Sequence, residues 1–136
     1  MKANNTKEKI LELLFDFPTR KFHVREISKI LKISAPAISN NVKKLENEGL
    51  IINNKGFISE IYAKIDNKFK RLKRVSNLEK IYESGLEDCL IEKFPLTTVV
   101  LFGSYSRGED IEKSDIDIAV FNKEKKINIE IFEKRL

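Results

Sequence analysis

Apolar residues recur every three or four positions in three successive segments of the first third of the chain. This spacing places apolar side chains on one face of a helix. Capping residues begin two of the segments, and Pro18 and Gly49 are placed to end the first and the third. The predicted helices run from Thr6 to about Phe15, from Arg25 to Leu31, and from Ser34 to Gly49.

After the third helix the pattern becomes that of a β-hairpin. Leu50 to Ile52 is an apolar run, residues 53–56 have turn chemistry, and Phe57 to Ile65 returns as a longer strand. Phe22 and Val24 predict one further short strand before the second helix. Three helices followed by a two-stranded wing is the order of a winged helix-turn-helix.

The second half of the chain predicts helices followed by strands. Residues 67–94 have helical spacing in one or two pieces, with a break near Ser76, and Pro95 ends them. Leu96 to Phe102 predicts a strand buried on both faces, and Asp115 to Phe121 predicts the next strand. After a solvated turn at 123–126, Ile127 to Leu136 fits either a strand or a helix, and we favour a helix from about Asn128.

These elements predict an α+β protein in three parts. Residues 1–66 form the winged helix-turn-helix, residues 67–94 a helical linker, and residues 95–136 the start of an α/β fold with a small mixed sheet.

Composition excludes several classes of protein. The chain has 136 residues, 35% of them charged and 41% hydrophobic. No apolar run approaches the roughly 20 residues needed to cross a bilayer, and residues 1–5 lack the apolar core of a signal peptide. One Cys and one His provide neither a disulfide nor a zinc site. Cys89 falls on a predicted apolar stripe, so we expect a buried thiol. A chain with one cysteine and no disulfide fits a reducing, cytoplasmic location.

Charge divides the chain unevenly. Residues 1–76 contain 17 Lys and Arg against 8 Asp and Glu, whereas residues 77–136 contain 9 against 13. A basic first half suggests a nucleic-acid partner and an acidic second half a different one.

The short polar and cationic side chains of the third predicted helix lie on faces that the core does not need. Such residues contact base edges and phosphates from a recognition helix. Arg25 could meet a phosphate, and Lys55 at the hairpin tip could reach an adjacent groove. The candidate DNA-binding residues are Arg25, Ser34, Ser39, Asn40, Lys43, Lys44 and Lys55.

The segment Thr19–Ile65 resembles winged-helix regulators of the MarR-like and ArsR-like kind, most closely at residues 24–27 and 39–51. The resemblance implies binding to double-stranded DNA. The alternative is a winged helix that binds protein or only dimerises. His23 is expected to make a structural hydrogen bond or a phosphate contact, and the basic run at 68–74 either is a solvated helix face, which we favour, or extends the nucleic-acid surface.

Gly103-Ser104, followed after ten residues by Asp115-Ile116-Asp117, is the strongest chemical signal in the chain. Successive side chains of a strand alternate faces, so Asp115 and Asp117 project to the same side. Two neighbouring carboxylates beside a Gly-Ser turn are suited to holding Mg²⁺ and a nucleoside triphosphate.

Residues 90–136 resemble the DNA polymerase β-like nucleotidyltransferase superfamily, within it the small prokaryotic minimal nucleotidyltransferases. The resemblance implies that Gly103, Ser104 and Arg107 bind the triphosphate. It implies that Asp115 and Asp117 are catalytic and hold Mg²⁺ (or Mn²⁺), with ATP or another NTP as the substrate. Gly103 would let the backbone approach the phosphates, and Ser104 would offer its hydroxyl and N–H to them.

The superfamily normally carries a third carboxylate on a strand beyond the Asp-x-Asp strand, and no acid lies at the matching place if residues 128–136 form a helix. The open edge of the Asp-x-Asp strand would also lack a neighbour. The chain would then be a fragment, be completed by another chain, or have a degenerate site.

Two functional hypotheses follow. The first is a DNA-binding protein that transfers a nucleotidyl group to a protein, RNA or small molecule. The second is a transcriptional regulator whose second domain only binds nucleotide or a partner. The resemblance also implies an antitoxin role beside a HEPN-type toxin, and analogy with winged-helix regulators suggests a homodimer.

Overall fold

The computed structural model describes residues 5–121 and 126–128. The chain divides into two units, Met1–Phe69 and Lys70–Leu136, and each is described by itself.

The first unit contains three helices and a hairpin. They are α1 (Thr6–Asp16), α2 (Val24–Leu31), α3 (Ala35–Asn47), β1 (Ile51–Lys55) and β2 (Ser59–Ala63). The strands pair antiparallel, from Ile51 opposite Ala63 to Lys55 opposite Ser59. Phe22 makes an isolated bridge to Ile61, so the short strand before α2 is one residue and Val24 already begins the helix. The predicted element order is confirmed.

Local chemistry explains where these elements begin and end. The side chain of Asn5, rather than the predicted Thr6, accepts a hydrogen bond from the backbone N–H of Lys7 and caps α1. At the end of α3, Gly49 takes a φ of +74°, which glycine adopts without a steric cost. The Leu50 N–H then donates to the Leu45 carbonyl at 3.0 Å, and the chain turns into β1.

The core of the first unit is entirely apolar. Fourteen buried apolar residues from the helices and the hairpin form one cluster, and Phe22, Ile27, Ile38, Leu45 and Ile61 have no exposed surface. Burying each such side chain contributes about 1.5–3 kcal/mol. The apolar stripes read from the sequence therefore meet in a single core.

The second unit continues from a helix that begins in the first. Its elements are α4 (Asn67–Ser84), α5 (Leu86–Lys93), β3 (Thr98–Phe102), α6 (Gly103–Arg107), β4 (Asp117–Phe121) and β5 (Lys126–Asn128). The strand order is β3-β4-β5, and both pairings are antiparallel, so the described sheet is not mixed.

β5 corrects the sequence-based expectation for the end of the chain. Residues 126–128 are a strand paired with Ala119–Phe121, where the sequence favoured a turn and then a helix from about Asn128. The alternation that starts at Ile127 correctly indicates a strand, because pairing with β4 satisfies the backbone N–H and C=O groups of residues 126–128. β4 is consequently the central strand, not an open edge. Residues 129–136 lie outside the described residues.

Three further expectations are wrong. α4 continues through the buried Ser76, and the break comes at Gly85, where φ is +77°. Helix α5 therefore starts with a new phase that buries Leu90 and leaves Cys89 exposed. Strand β3 is not buried on both faces, because its residues are exposed apart from the half-buried Leu101.

Candidate functional site

The Asp-x-Asp segment has the alternation that its sequence predicts. Ile116, Ile118 and Val120 are buried, with at most 4% of their surface exposed. Asp115, just before β4, is exposed, and Asp117 at its first position is half-buried. The two aspartates thus occupy alternate positions on the face that the apolar core leaves free.

Asp117 lies directly against Gly103. A methyl group placed on Gly103 would lie 2.0 Å from Asp117 Oδ2, so no other residue fits there without displacing the carboxylate. Gly103 also has a φ of +77°, and Phe102 pairs with Asp117 across the sheet. The structure therefore brings the glycine of the Gly-Ser pair and the second aspartate together, although 13 residues separate them in the sequence.

The segment after Gly103 is a single helical turn, α6, rather than a loop. Ser104 is half-buried, and the Ser106 hydroxyl donates to the Gly103 carbonyl at 2.8 Å. Gly108 ends the turn with a φ of +68°. A methyl group on Gly108 would lie 2.3 Å from the Lys70 carbonyl oxygen, so the turn packs directly on the backbone of α4.

Arg107 is already paired within the second unit. Its Nε lies 2.9 Å from Glu109 Oε2, and Lys70 Nζ lies 3.3 Å from Glu109 Oε1. The hydrogen bond from Arg107, and then that from Lys70, hold the pKa of Glu109 below its ordinary value. Arg107 would have to leave or share this carboxylate to neutralise a triphosphate.

A buried polar network holds α6 and the following loop against α4. Asn77 Nδ2 donates to the Tyr105 carbonyl at 3.0 Å and to Asp110 Oδ1 at 2.8 Å, and the Tyr105 hydroxyl donates to the Asn77 carbonyl at 3.1 Å. Lys73 Nζ donates to the Asp110 carbonyl and lies 3.3 Å from Asp110 Oδ1. All four residues are at most 2% exposed.

Sequence reasoning missed these four residues. The sequence places Lys73 within a basic run and gives no role to Asn77, Tyr105 or Asp110. The available signal is the pair Lys73 and Asn77 at i and i+4 of a helix, which puts two polar groups on one face. Their partners lie about 30 residues further on, so the pairing itself could not be read from spacing.

The two aspartates are suited to a metal ion. Within residues 5–121, no side-chain hydrogen bond or ion pair engages the carboxylate of Asp115 or Asp117. The notch at Gly103 holds one of them beside the start of α6. Oxygen ligands of this kind fit Mg²⁺ or Mn²⁺. The described residues contain no cluster of three acidic, His or Cys side chains, and Glu130 and Glu133 lie outside them.

In the first unit, α3 separates its core face from its polar face. Ile38, Val42 and Leu45 are buried. Of the candidate DNA-binding residues, Ser39 is half-buried, and the exposed ones are Arg25, Ser34, Asn40, Lys43, Lys44 and Lys55. The helix therefore presents amide and ammonium groups to solvent, as the sequence predicts.

His23 has the structural role that was one of its two expected roles. Its Nδ1 lies 3.0 Å from the Ser59 carbonyl oxygen, which ties the start of α2 to the wing strand β2. Its backbone N–H donates to Glu26 Oε1 at 3.1 Å, and this bond is the main reason that the pKa of Glu26 is held below its ordinary value.

The basic run at 68–74 is not a simple solvated face. Lys68 donates to the Glu48 carbonyl, Lys70 pairs with Glu109, and Lys73 is buried. Only Arg71 and Arg74 of the run are exposed and without a hydrogen bond or ion pair among the described residues.

Two segments of the chain match known protein families. Residues 4–53 match the bacterial regulatory protein arsR family, and residues 83–136 match the nucleotidyltransferase domain family. The chain thus combines an ArsR-type helix-turn-helix with a nucleotidyltransferase region, as the sequence resemblance indicated.

Three curated relatives from Methanocaldococcus jannaschii each carry the name "Putative protein adenylyltransferase". One is 41% identical over 49 residues, which cover 36% of this chain and 48% of that protein. A second is 40% identical over 50 residues, covering 37% and 57%, and a third is 41% identical over 49 residues, covering 36% and 49%. The chain spans about half the length of the curated relatives it matches.

No solved structure matches this chain. Among the described residues, no helix combines the length and the apolar character that crossing a membrane requires.

Proposed function

We propose that the protein is a DNA-binding nucleotidyltransferase that transfers an adenylyl group from ATP to a protein acceptor. The contact of Asp117 with Gly103 carries this proposal, because it joins the carboxylate pair to the Gly-Ser turn. The names of the three relatives support adenylyl transfer to protein.

In this proposal the chain's own residues position the triphosphate and the metal. Asp115 and Asp117 supply the carboxylate oxygens, and Gly103 and Ser104 approach the phosphates with backbone N–H and hydroxyl groups. A bound Mg²⁺ or Mn²⁺ would offset the negative charge of the phosphates. The acceptor hydroxyl oxygen bonds to the α-phosphorus and its proton passes to solvent, while the bond from that phosphorus to the oxygen bridging to the β-phosphorus breaks and pyrophosphate leaves.

Removal of the carboxylate charges tests the proposal. Incubation with α-labelled ATP, Mg²⁺ and cell extract should label an acceptor. Asp115→Asn with Asp117→Asn should reduce labelling by about 10³-fold or more, because metal-held charge stabilisation is lost. Labelling that survives in the double variant would assign it to another site.

Gly103 offers a sharper test with a matched control. Gly103 and Gly85 both have a φ of +77°, but a methyl group on Gly85 meets no atom within 4 Å. Gly103→Ala and Gly85→Ala therefore carry similar backbone strain, of about 1 kcal/mol. Only Gly103→Ala displaces Asp117, so only it should lower labelling by about 10²-fold. Equal labelling in the two variants would contradict the contact.

The acceptor can be identified from the labelled product. A HEPN-type toxin encoded beside the gene is the first protein to test, because the resemblance implies an antitoxin role. Mass spectrometry of the labelled band should show one added AMP on a hydroxyl-bearing side chain. If this chain itself is labelled, extract proteins are added as competing acceptors. Label that stays on the chain then indicates self-modification.

We also propose that the first unit binds double-stranded DNA through α3 and the wing. The exposed amide and ammonium groups of α3 and the excess of basic residues in the first half support this. Lys43→Ala with Lys44→Ala should abolish the mobility shift on the DNA upstream of the gene at physiological salt. At lower salt, the binding that is left should have a salt slope smaller by about 2.

The control for DNA binding removes the same charge elsewhere. Lys9 and Lys64 are also exposed lysines of the first unit, and Lys9→Ala with Lys64→Ala should retain the shift. Equal losses in the two double variants would indicate attraction by net charge alone. A shift without any labelling would favour the regulator hypothesis, in which the second unit only binds nucleotide or a partner.

A further inference from the structure

The second unit contains a cavity with three arginines in its wall. Its volume is about 590 Å³, within the range of small-molecule sites. Arg71 and Arg74 line it from α4 and Arg107 from α6, and Ser106 adds a hydroxyl. The remaining wall is apolar, from Val75, Leu78 and Leu101. No acidic residue is among these lining residues.

Arg71 and Arg74 are available to a ligand. Both are exposed, and no hydrogen bond or ion pair of the described residues engages either guanidinium. Arg107 differs, because it is shared with Glu109. Two guanidinium groups at i and i+3 of a helix lie on the same face and can address one anion together.

The wall of this cavity and the aspartate pair belong to opposite faces of the sheet. Leu101 pairs with Ile118 across β3 and β4, and Phe102 pairs with Asp117. Directly opposed residues share a face and successive residues alternate. Leu101, the strand residue of the cavity wall, is therefore on the face opposite to that of Asp117, and the positive charge in this wall comes from guanidinium groups.

We infer that this cavity binds the phosphate groups of a nucleotide or of pyrophosphate without a metal ion. Planar guanidinium groups form paired hydrogen bonds to phosphate oxygens. The apolar wall suits a small ligand that is enclosed on one side. The second unit has 13 basic and 13 acidic residues, so its net charge gives a long polyanion such as nucleic acid no general attraction.

The test measures binding of ATP and of pyrophosphate to the full chain by calorimetry in excess EDTA. Arg71→Gln with Arg74→Gln removes both charges and keeps the methylenes, which matters because Arg74 Cγ packs beside Gly108. This variant should weaken binding by about 10- to 100-fold, as expected for the loss of charge-assisted hydrogen bonds. Arg71→Lys with Arg74→Lys should give an intermediate loss.

Two control variants distinguish binding by these arginines from attraction by net charge and from binding at the aspartate pair. Lys93→Gln with Lys113→Gln removes two exposed positive charges from the same unit and should bind as the wild type does. Asp115→Ala with Asp117→Ala should lose transfer but keep binding in EDTA, so failure of the proposed catalysis and failure of this inference remain distinguishable.

The inference is overturned by any of three results. These are no metal-free binding by the wild type, a loss in Arg71→Gln with Arg74→Gln no larger than that in Lys93→Gln with Lys113→Gln, or displacement of ATP by a short single-stranded oligonucleotide at lower concentration than by pyrophosphate. The last result would assign the arginines to a nucleic-acid surface. Unchanged thermal melting of the glutamine variant confirms that its fold is intact.

Discussion

The two units of this chain are stabilised in different ways. Among the described residues of the first unit, fourteen buried apolar residues form one cluster, and no polar or charged residue is buried. In the described part of the second, a cluster of only five buried residues adjoins the network of Lys73, Asn77, Tyr105 and Asp110. Apolar burial is non-directional, whereas a buried network depends on the identity of every member. The first unit should therefore tolerate changes in the shape of its buried apolar side chains. The second unit should not tolerate the replacement of a polar group in its buried network.

The largest difference is expected for near-isosteric changes in the two cores. Ile38→Leu in the first unit should cost less than about 1.5 kcal/mol. Asp110→Asn removes the carboxylate charge that lies 3.3 Å from the buried Lys73 Nζ, and breaking such a pair costs about 3–5 kcal/mol. Hydrogen exchange of each unit in the full chain measures both effects. Similar losses for the two changes would contradict the contrast.

The same contrast predicts partial rescue within the network. Lys73→Met with Asp110→Leu should be more stable than Asp110→Asn alone, because it removes both charges of the buried pair. A double variant less stable than the single one would show that Asn77 and Tyr105 depend on the ion pair for their own positions.

A smaller difference is expected for glycines of similar backbone conformation. Gly49 in the first unit has a φ of +74° with open space around it, and Gly108 in the second has a φ of +68° against the Lys70 carbonyl. Gly49→Ala should cost only backbone strain, about 1 kcal/mol. Gly108→Ala should cost about 2–4 kcal/mol, because the backbone of α4 must move. Equal shifts in urea midpoint for the two variants would show that α6 can separate from α4 cheaply.

The smallest effect concerns two carboxylates whose pKa is lowered for different reasons. A backbone N–H is the main cause at Glu26, and the Arg107 side chain is the main cause at Glu109. Because folding lowers each pKa, each contributes stability above its unfolded value, near 4.5, that is lost as the pH falls through the folded pKa.

Salt distinguishes the two carboxylates. Added KCl screens the exposed ion pairs of Glu109 more than the hydrogen bond at Glu26. The pKa of Glu109, measured by NMR, should therefore rise further towards its ordinary value than that of Glu26, and Glu109→Gln should remove the part of the acid-dependent loss that Glu109 contributes. An equal response of the two pKa values to salt would show that the charges of Arg107 and Lys70 are not what lowers the pKa of Glu109.

The first unit could be predicted almost completely from its sequence. The positions of Ile38, Val42 and Leu45 fix the buried face of α3, and Gly49 fixes its end, because helix periodicity and capping are local properties. In the second unit the local pattern is less informative. Its spacing predicts an apolar stripe that includes Cys89, but a single positive-φ residue at Gly85 changes the phase of the helix that follows.

The candidate site also has some features that the sequence predicts and others that it does not. Spacing alone predicts that Asp115 and Asp117 share a face, and the burial of Ile116 and Ile118 agrees with it. The roles of Ser104, Arg107 and the aspartates in nucleotide binding stay predictions. The partner of Arg107, the burial of Lys73 and the arginine cavity could not be predicted, since each depends on residues far apart in the chain.

By itself the sequence determined the buried face of α3 and the placement of the two aspartates on one side of a strand, because each follows from the period of a helix or a strand. Only the tertiary structure decided which charges are held and which are available. It paired Lys70 and Arg107 with Glu109, buried Lys73 on Asp110, and left Arg71 and Arg74 exposed. The physical reason is that a charged side chain finds its partner through packing, which no local period encodes.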